Sequence, residues 1–147
     1  MKNWMYRSQL DWPASIGMLL LRVVTGAGMM LHGWPKIQTP FGWMGPDAPI
    51  PGFLQMLAAV SEFGGGVALL VGGFTVIGAL GIAATMAVAA GMVHIAAGHP
   101  FVGKPGSPSW ELAAIYFACA VLILLAGPGR LSLDALMFGP PGPPESK

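Results

Sequence analysis

"LLVGGFTVIGAL" (69–80) joins two long apolar runs through only the four residues "GGFT". A link this short between two helices makes them lie antiparallel and side by side. The upstream run covers about 53–73 and the downstream run about 75–97, with two further runs at about 14–33 and 110–127. Each approaches the ~20 residues an α-helix needs to cross a ~30 Å hydrocarbon layer. A β-barrel would alternate apolar and polar residues, and these runs do not. The sequence therefore predicts an all-α integral membrane protein, an antiparallel four-helix bundle within 1–136.

Composition points the same way. Of 147 residues, 54% are hydrophobic and 9% charged, where a soluble domain carries about a quarter of its residues as charges. Mean hydropathy is +0.68. The net charge of +1 offers no basic footprint for nucleic acid. Cys119 is the only cysteine, which excludes an intramolecular disulfide, a CxxC pair and a cysteine zinc site. Lying in "FACAVLILL", it reads as an inert small hydrophobe. The first run is longer than a secretory h-region and holds an arginine, so it reads as a retained helix.

Two Pro/Gly-rich stretches, 34–52 and 98–109, belong on one side of the membrane, and the tight turn and both termini on the other. Lys2, Arg7, Arg130 and Lys147 lie on the terminal side against Lys36 and Lys104 on the loop side. The positive-inside rule then places both termini of a multi-pass membrane protein in the cytoplasm. The proline-rich tail, 137–147, is expected to be disordered. Trp4, Trp12, Trp34, Trp43 and Trp110 read as interface anchors. The ladder Ala79, Ala83, Ala87 and Gly91, with the glycines of "EFGGGVALLVGG" (62–73), reads as close-packing surface between helices.

Ionisable residues inside spans need partners. Counted from the ends of their runs, Arg22 and Glu62 come to similar depths, so an Arg22–Glu62 pair near mid-membrane is expected, serving a site or only fixing helix register. His32, Lys36, His94, His99 and Glu111 fall near the loop side as a titratable rim. Such a rim suits an amphipathic ligand with its polar head outward, or a proton path. His99 and Lys104 also suit plain snorkelling to the interface. Haem is not expected, since two histidines at similar depth on different helices, such as His32 and His94, arise easily by chance, and neither is a metal on His94, His99 and Glu111, which have no recognisable spacing. Walker and dinucleotide-binding motifs are missing.

The stretches "LLLRVVTGAGMMLHGWPKI" (19–37), "SEFGGGVALLVGGFT" (61–75), "HPFVG" (99–103) and "WELAAIYFACAVLILLAGPGRLSLDAL" (110–136) resemble the DoxX family of small four-helix membrane proteins. The pattern is an arginine and HG-x-x-K in the first helix, E-x-x-G-G in the second and a histidine in the third. A glutamate opens the fourth helix, and G-P-G-x-x-S-L-D follows it. The family name derives from a membrane subunit of thiosulfate:quinone oxidoreductase, and other members are linked to sulfur and thiol redox stress. The resemblance singles out Arg22, His32, Lys36, Glu62, His94 and Glu111. It implies a membrane subunit of an oxidoreductase system that binds quinone or passes electrons to it, beside a partner redox protein or a second copy. The alternatives are a non-catalytic scaffold subunit and a small transporter, the latter without a visible inverted repeat. No catalytic residue is assigned.

Overall fold

The computed structural model describes residues 10–139, and within them every regular element is helical. Helix α1 (Trp12–Gln38) starts where the Asp11 carboxylate accepts the Ala14 N–H at 2.9 Å, with Pro13 in the first turn, where no N–H is needed. It continues past 33 and through Pro35. Helix α2 (Gly52–Val71) stops at Gly72, whose φ of 68° is left-handed; the Gly72 and Gly73 N–H groups both donate to Ala68 O, at 2.9 and 3.1 Å. Helix α3 (Thr75–Val88) passes without a break into a π-helical stretch, Ala89–Ile95. Helix α4 (Glu111–Ala126) follows the second loop, and a short α5 (Leu133–Phe138) is capped by Ser132.

Helices α1, α2 and α3 with its π extension are each long and apolar enough to cross a membrane. Helix α4 is as apolar but has 16 residues, about 24 Å at 1.5 Å per residue. The chain is thus a helical membrane bundle. Helix α5 had no signal in the hydropathy pattern and takes Met137 and Phe138 out of the expected disordered tail; positions 140–147 of that tail lie outside the described residues, as do Lys2, Trp4, Arg7 and Lys147.

Neighbours in sequence are neighbours in space: α1 packs on α2, α2 on α3 and α3 on α4, while α4 meets α1 over a small area. The α1–α2 contact is built on glycine. A Cβ at Gly26 would stand 2.7 Å from Gly66 O, and one at Gly66 would stand 2.6 Å from Met30 N. No side chain fits between these backbones, and the small residues let van der Waals contact replace the hydrophobic drive that lipid does not supply. In the α3 ladder, Ala79 and Ala83 are buried, Ala87 is exposed, and Gly91 has no neighbour within 4 Å of where its Cβ would be. The ladder packs only along its first half.

This register overturns the expected Arg22–Glu62 pair. With Gly26 against Gly66 and Gly33 against Phe63, Arg22 comes level with Leu69 and Gly72, and Glu62 with Lys36. The two side chains are roughly three helical turns apart. Depth counted from run ends failed because α1 begins earlier, overshoots into the loop, and is positioned by glycine contacts.

Arg22 is 1% exposed and finds its partners at the end of α2 and in the chain after α4. Its Nη1 donates to Leu69 O at 3.5 Å, and its Nη2 donates to Leu131 O. The fully buried Asp134 is the carboxylate whose charge acts on it. Asp134 accepts the Phe74 and Thr75 N–H groups at 2.7 and 2.9 Å and donates its own N–H to Gly72 O at 2.8 Å. It therefore caps α3 across the fold and holds Phe74 at a φ of 52°, which a bulky residue rarely adopts. The G-P-G-x-x-S-L-D segment is a strap that closes this end of the bundle.

Two stability outcomes follow. Gly66→Ala should cost about 1–3 kcal/mol, because its methyl meets α1 backbone and cannot be accommodated by a rotamer change. Asp134→Ala should cost about 2–4 kcal/mol by leaving two N–H groups without their charged acceptor, and Asp134→Asn, which keeps one oxygen, should cost less. Thermal unfolding in detergent checks both.

Candidate functional site

The opposite end of the bundle carries the polar cleft. Pro35 has no N–H to give to the helix, yet α1 continues for a last turn, and that turn presents Lys36 inward toward α2. Lys36 Nζ lies 2.6 Å from Glu62 Oε1 and 4.5 Å from the centre of the Trp43 ring. The ammonium is thus held between a carboxylate and an aromatic face. Glu62 is 2% exposed, and its second oxygen, Oε2, has no hydrogen-bond partner. A buried carboxylate oxygen without a donor is costly and marks a place where a ligand or proton would be bound favourably.

Glu62, Lys36, His32 and His94 line one cleft of about 320 Å³ among α1, α2, the end of α3 and α4. Met29, Met86 and Leu112 form apolar wall, and Tyr116 stands edge-on to His32 with ring centres 5.8 Å apart. The second loop contributes Ser109 and Pro108. Because α4 touches α1 so little, the space between them stays open at this end.

His94 reaches the cleft from the π-helical stretch. There the backbone bonds span five residues: Ala96 N–H donates to Gly91 O at 3.2 Å, and His99 N–H to His94 O at 3.0 Å. The wider turn brings residues five apart onto one face, and His94 Nδ1 lies 3.0 Å from His99 Nδ1.

Of the six residues singled out from sequence, four meet in the cleft. Arg22 belongs to the strap at the other end. Glu111 sits in the first turn of α4, partly exposed, where its charge complements the helix dipole and its N–H donates to Phe101 O at 3.1 Å. It does not line the cleft. His99, read as an interface residue, is instead hydrogen-bonded to His94. Tyr116 was missed, though a phenol inside the apolar stretch "AAIYFACA" (113–120) was a usable signal. The Lys36–Glu62 pair could have been suspected only by assuming that a helix runs through Pro35. Among the described residues no group of three or more His, Cys, Asp or Glu side chains could hold a metal ion.

Comparison with known proteins agrees with this architecture. The DoxX family model matches residues 17–95, which include Arg22, His32, Lys36, Glu62 and His94. A Haemophilus influenzae protein described only as uncharacterized is 29% identical over 119 residues, covering 80% of this chain and 88% of that protein. No solved structure matches the chain. With the family model matching more than half of its length, from α1 to the π-helical end of α3, the chain belongs to the DoxX family.

Proposed function

We propose that the chain is the membrane subunit of an oxidoreductase system and binds a quinone head group in the cleft beside Lys36 and Glu62. The observation that carries this reading is the free Oε2 of buried Glu62 in a cleft of about 320 Å³ that sets Met29, Met86 and Leu112 beside a few polar side chains. That volume lies at the lower end of the range for small-molecule sites, which pair apolar walls with a few convergent polar groups. Lys36 and His32 supply donors for a quinone carbonyl, and Glu62 Oε2 accepts from a quinol hydroxyl. Reduction of a quinone to the quinol takes up two electrons and two protons, and the reverse step releases them. Glu62 would carry one of the protons, and the electrons for the quinone would come from a partner redox protein, since a single cysteine cannot ligate an iron–sulfur cluster. The apolar tail would leave between α1 and α4, where the helices barely touch.

On this reading the protein lies in a bacterial cytoplasmic membrane, and the charge bias supports an orientation with both termini in the cytoplasm and the cleft near the outer face. On a Cys119→Ala background, Ser107→Cys should react with a membrane-impermeant thiol reagent added from outside; reaction only from the cytoplasmic side would reverse the orientation.

Decylubiquinol added to the full-length protein in lipid nanodiscs should raise its unfolding temperature, in proportion to the logarithm of the free ligand above its Kd. Glu62→Gln, which removes the charge but not the shape, should weaken that binding about tenfold, or ~1.4 kcal/mol. An unfolding temperature indifferent to both decylubiquinol and decylubiquinone would refute quinone binding here.

A further inference from the structure

The contact between His94, which lines the cleft, and His99 beside it is a polar feature that quinone binding as described does not use. Their Nδ1 atoms lie 3.0 Å apart, a hydrogen bond in which one ring must carry the Nδ1 proton and the other must not. If both rings are neutral, they are opposite tautomers. The ring that donates has a bare Nε2, and the ring that accepts carries an Nε2–H. His94 lines the cleft, and with its Nδ1 engaged by His99, its Nε2 is the nitrogen left for a cleft ligand. His99 lies in the loop, outside the cleft lining and partly exposed, so its Nε2 is left for the water side.

The pair is held in place by the backbone as well. His99 N–H donates to His94 O at 3.0 Å, and the residues after His99 are pinned to the start of α4. Trp110 N–H donates to Pro100 O at 3.3 Å, and the rings of Phe101 and Trp110 meet at a tilt with centres 4.5 Å apart. His99 is therefore not a freely rotating loop residue. The other titratable groups that line the cleft are His32 and Tyr116, with the ion-paired Lys36 and Glu62.

We propose that His94 and His99 form a proton relay between the cleft and the water at the membrane surface, on the reading that the cleft binds a quinone. In the outward direction a proton from the cleft ligand arrives on His94 Nε2. His94 gives its Nδ1 proton to His99 Nδ1, and His99 releases its Nε2 proton to water. One proton enters and one leaves, no bond other than N–H or O–H is made or broken, and no electron moves along the pair. The passage leaves both rings in the other tautomer, which is the state poised to return a proton inward. Consecutive passages in one direction therefore require the rings to be reset, by reorientation or by exchange with solvent. The relay complements Glu62, which can take one of the two protons of a quinol and leaves the second to find another route.

The relay makes the position of a single proton depend on the ligand. A quinol hydroxyl donates, so it selects bare Nε2 on His94 and hence the Nδ1 proton on His94. A quinone carbonyl accepts, so it selects Nε2–H on His94 and hence the Nδ1 proton on His99. The full-length protein with ¹⁵N-labelled histidine, in lipid nanodiscs at neutral pH, allows this to be read from the histidine nitrogen shifts. The expected result is an N–N coupling across the hydrogen bond and a swap of the Nδ1 proton from His94 to His99 when decylubiquinol is replaced by decylubiquinone. His99→Ala supplies the resonance assignment and should abolish the coupling. A pair that only anchors the loop would keep its proton on the same ring with both probes. That result, or the lack of any coupling, overturns the relay while leaving quinone binding intact if the probes still raise the unfolding temperature. If neither probe moves the histidine shifts or the unfolding temperature, quinone binding fails and the relay fails with it.

Discussion

The backbone contact between α1 and α2 at Gly26 and Gly66 sets the axial register on which the two ends of the molecule depend. Lipid offers no hydrophobic gain for bringing two apolar helices together, so the contact must come from packing, and only small residues allow backbones so close. Once Gly26 sits against Gly66, there is little freedom to slide. Lys36 is then brought to Glu62 at one end, and Arg22 to the α2–α3 turn at the other. Shifting α1 by a single turn would separate Lys36 from Glu62 and take Arg22 away from the strap.

Of the three buried charged residues, Arg22 and Asp134 lie together at one end of the bundle and Glu62 at the other, and the two ends are stabilised in different ways. Arg22 cannot give up its charge, so it is surrounded by acceptors that belong to the fold: the carbonyls of Leu69 and Leu131 and the nearby charge of Asp134. Asp134 is in turn committed to backbone N–H groups at the start of α3. This cluster joins α1, α2, α3 and the chain after α4, although Arg22 Nε and Thr75 Oγ1 within it have no hydrogen-bond partner. Glu62 is satisfied on one oxygen only. A carboxylate can bind a proton or accept a donor from a ligand, so an unpaired oxygen in a cleft is compatible with chemistry in a way that an unpaired guanidinium is not.

The π-helical end of α3 makes the cleft side differ from an ordinary helix bundle. An α-helical continuation would not align residues 94 and 99, since side chains meet at spacings of three and four. Bonds spanning five residues align them and also leave this end of α3 with no buried residue, so its side chains are available to the loop and the cleft. The weak contact between α4 and α1 leaves the space that these residues border.

Much of the fold was written in local sequence. Apolar runs of spanning length mark α1, α2 and α3, because the length of an apolar run and the thickness of the membrane are the same physical quantity. The "GGFT" link dictated an antiparallel hairpin, and its glycine supplies the left-handed φ that ends α2. Charges set inside such runs had to be exceptional, and five of the six residues chosen on that basis prove to be enclosed by the fold or to border the cleft. Which charge meets which was beyond local sequence. Partners across two helices depend on axial register, register depends on backbone approach at particular glycines, and the hydropathy pattern is blind to a slide of several residues. The same limit hid α5, a six-residue helix held by tertiary bonds to the α2–α3 turn, and the π-helical turn that joins His94 to His99. Tertiary packing alone decided that Arg22 meets the strap after α4 and that Lys36, Glu62 and His94 share one cleft.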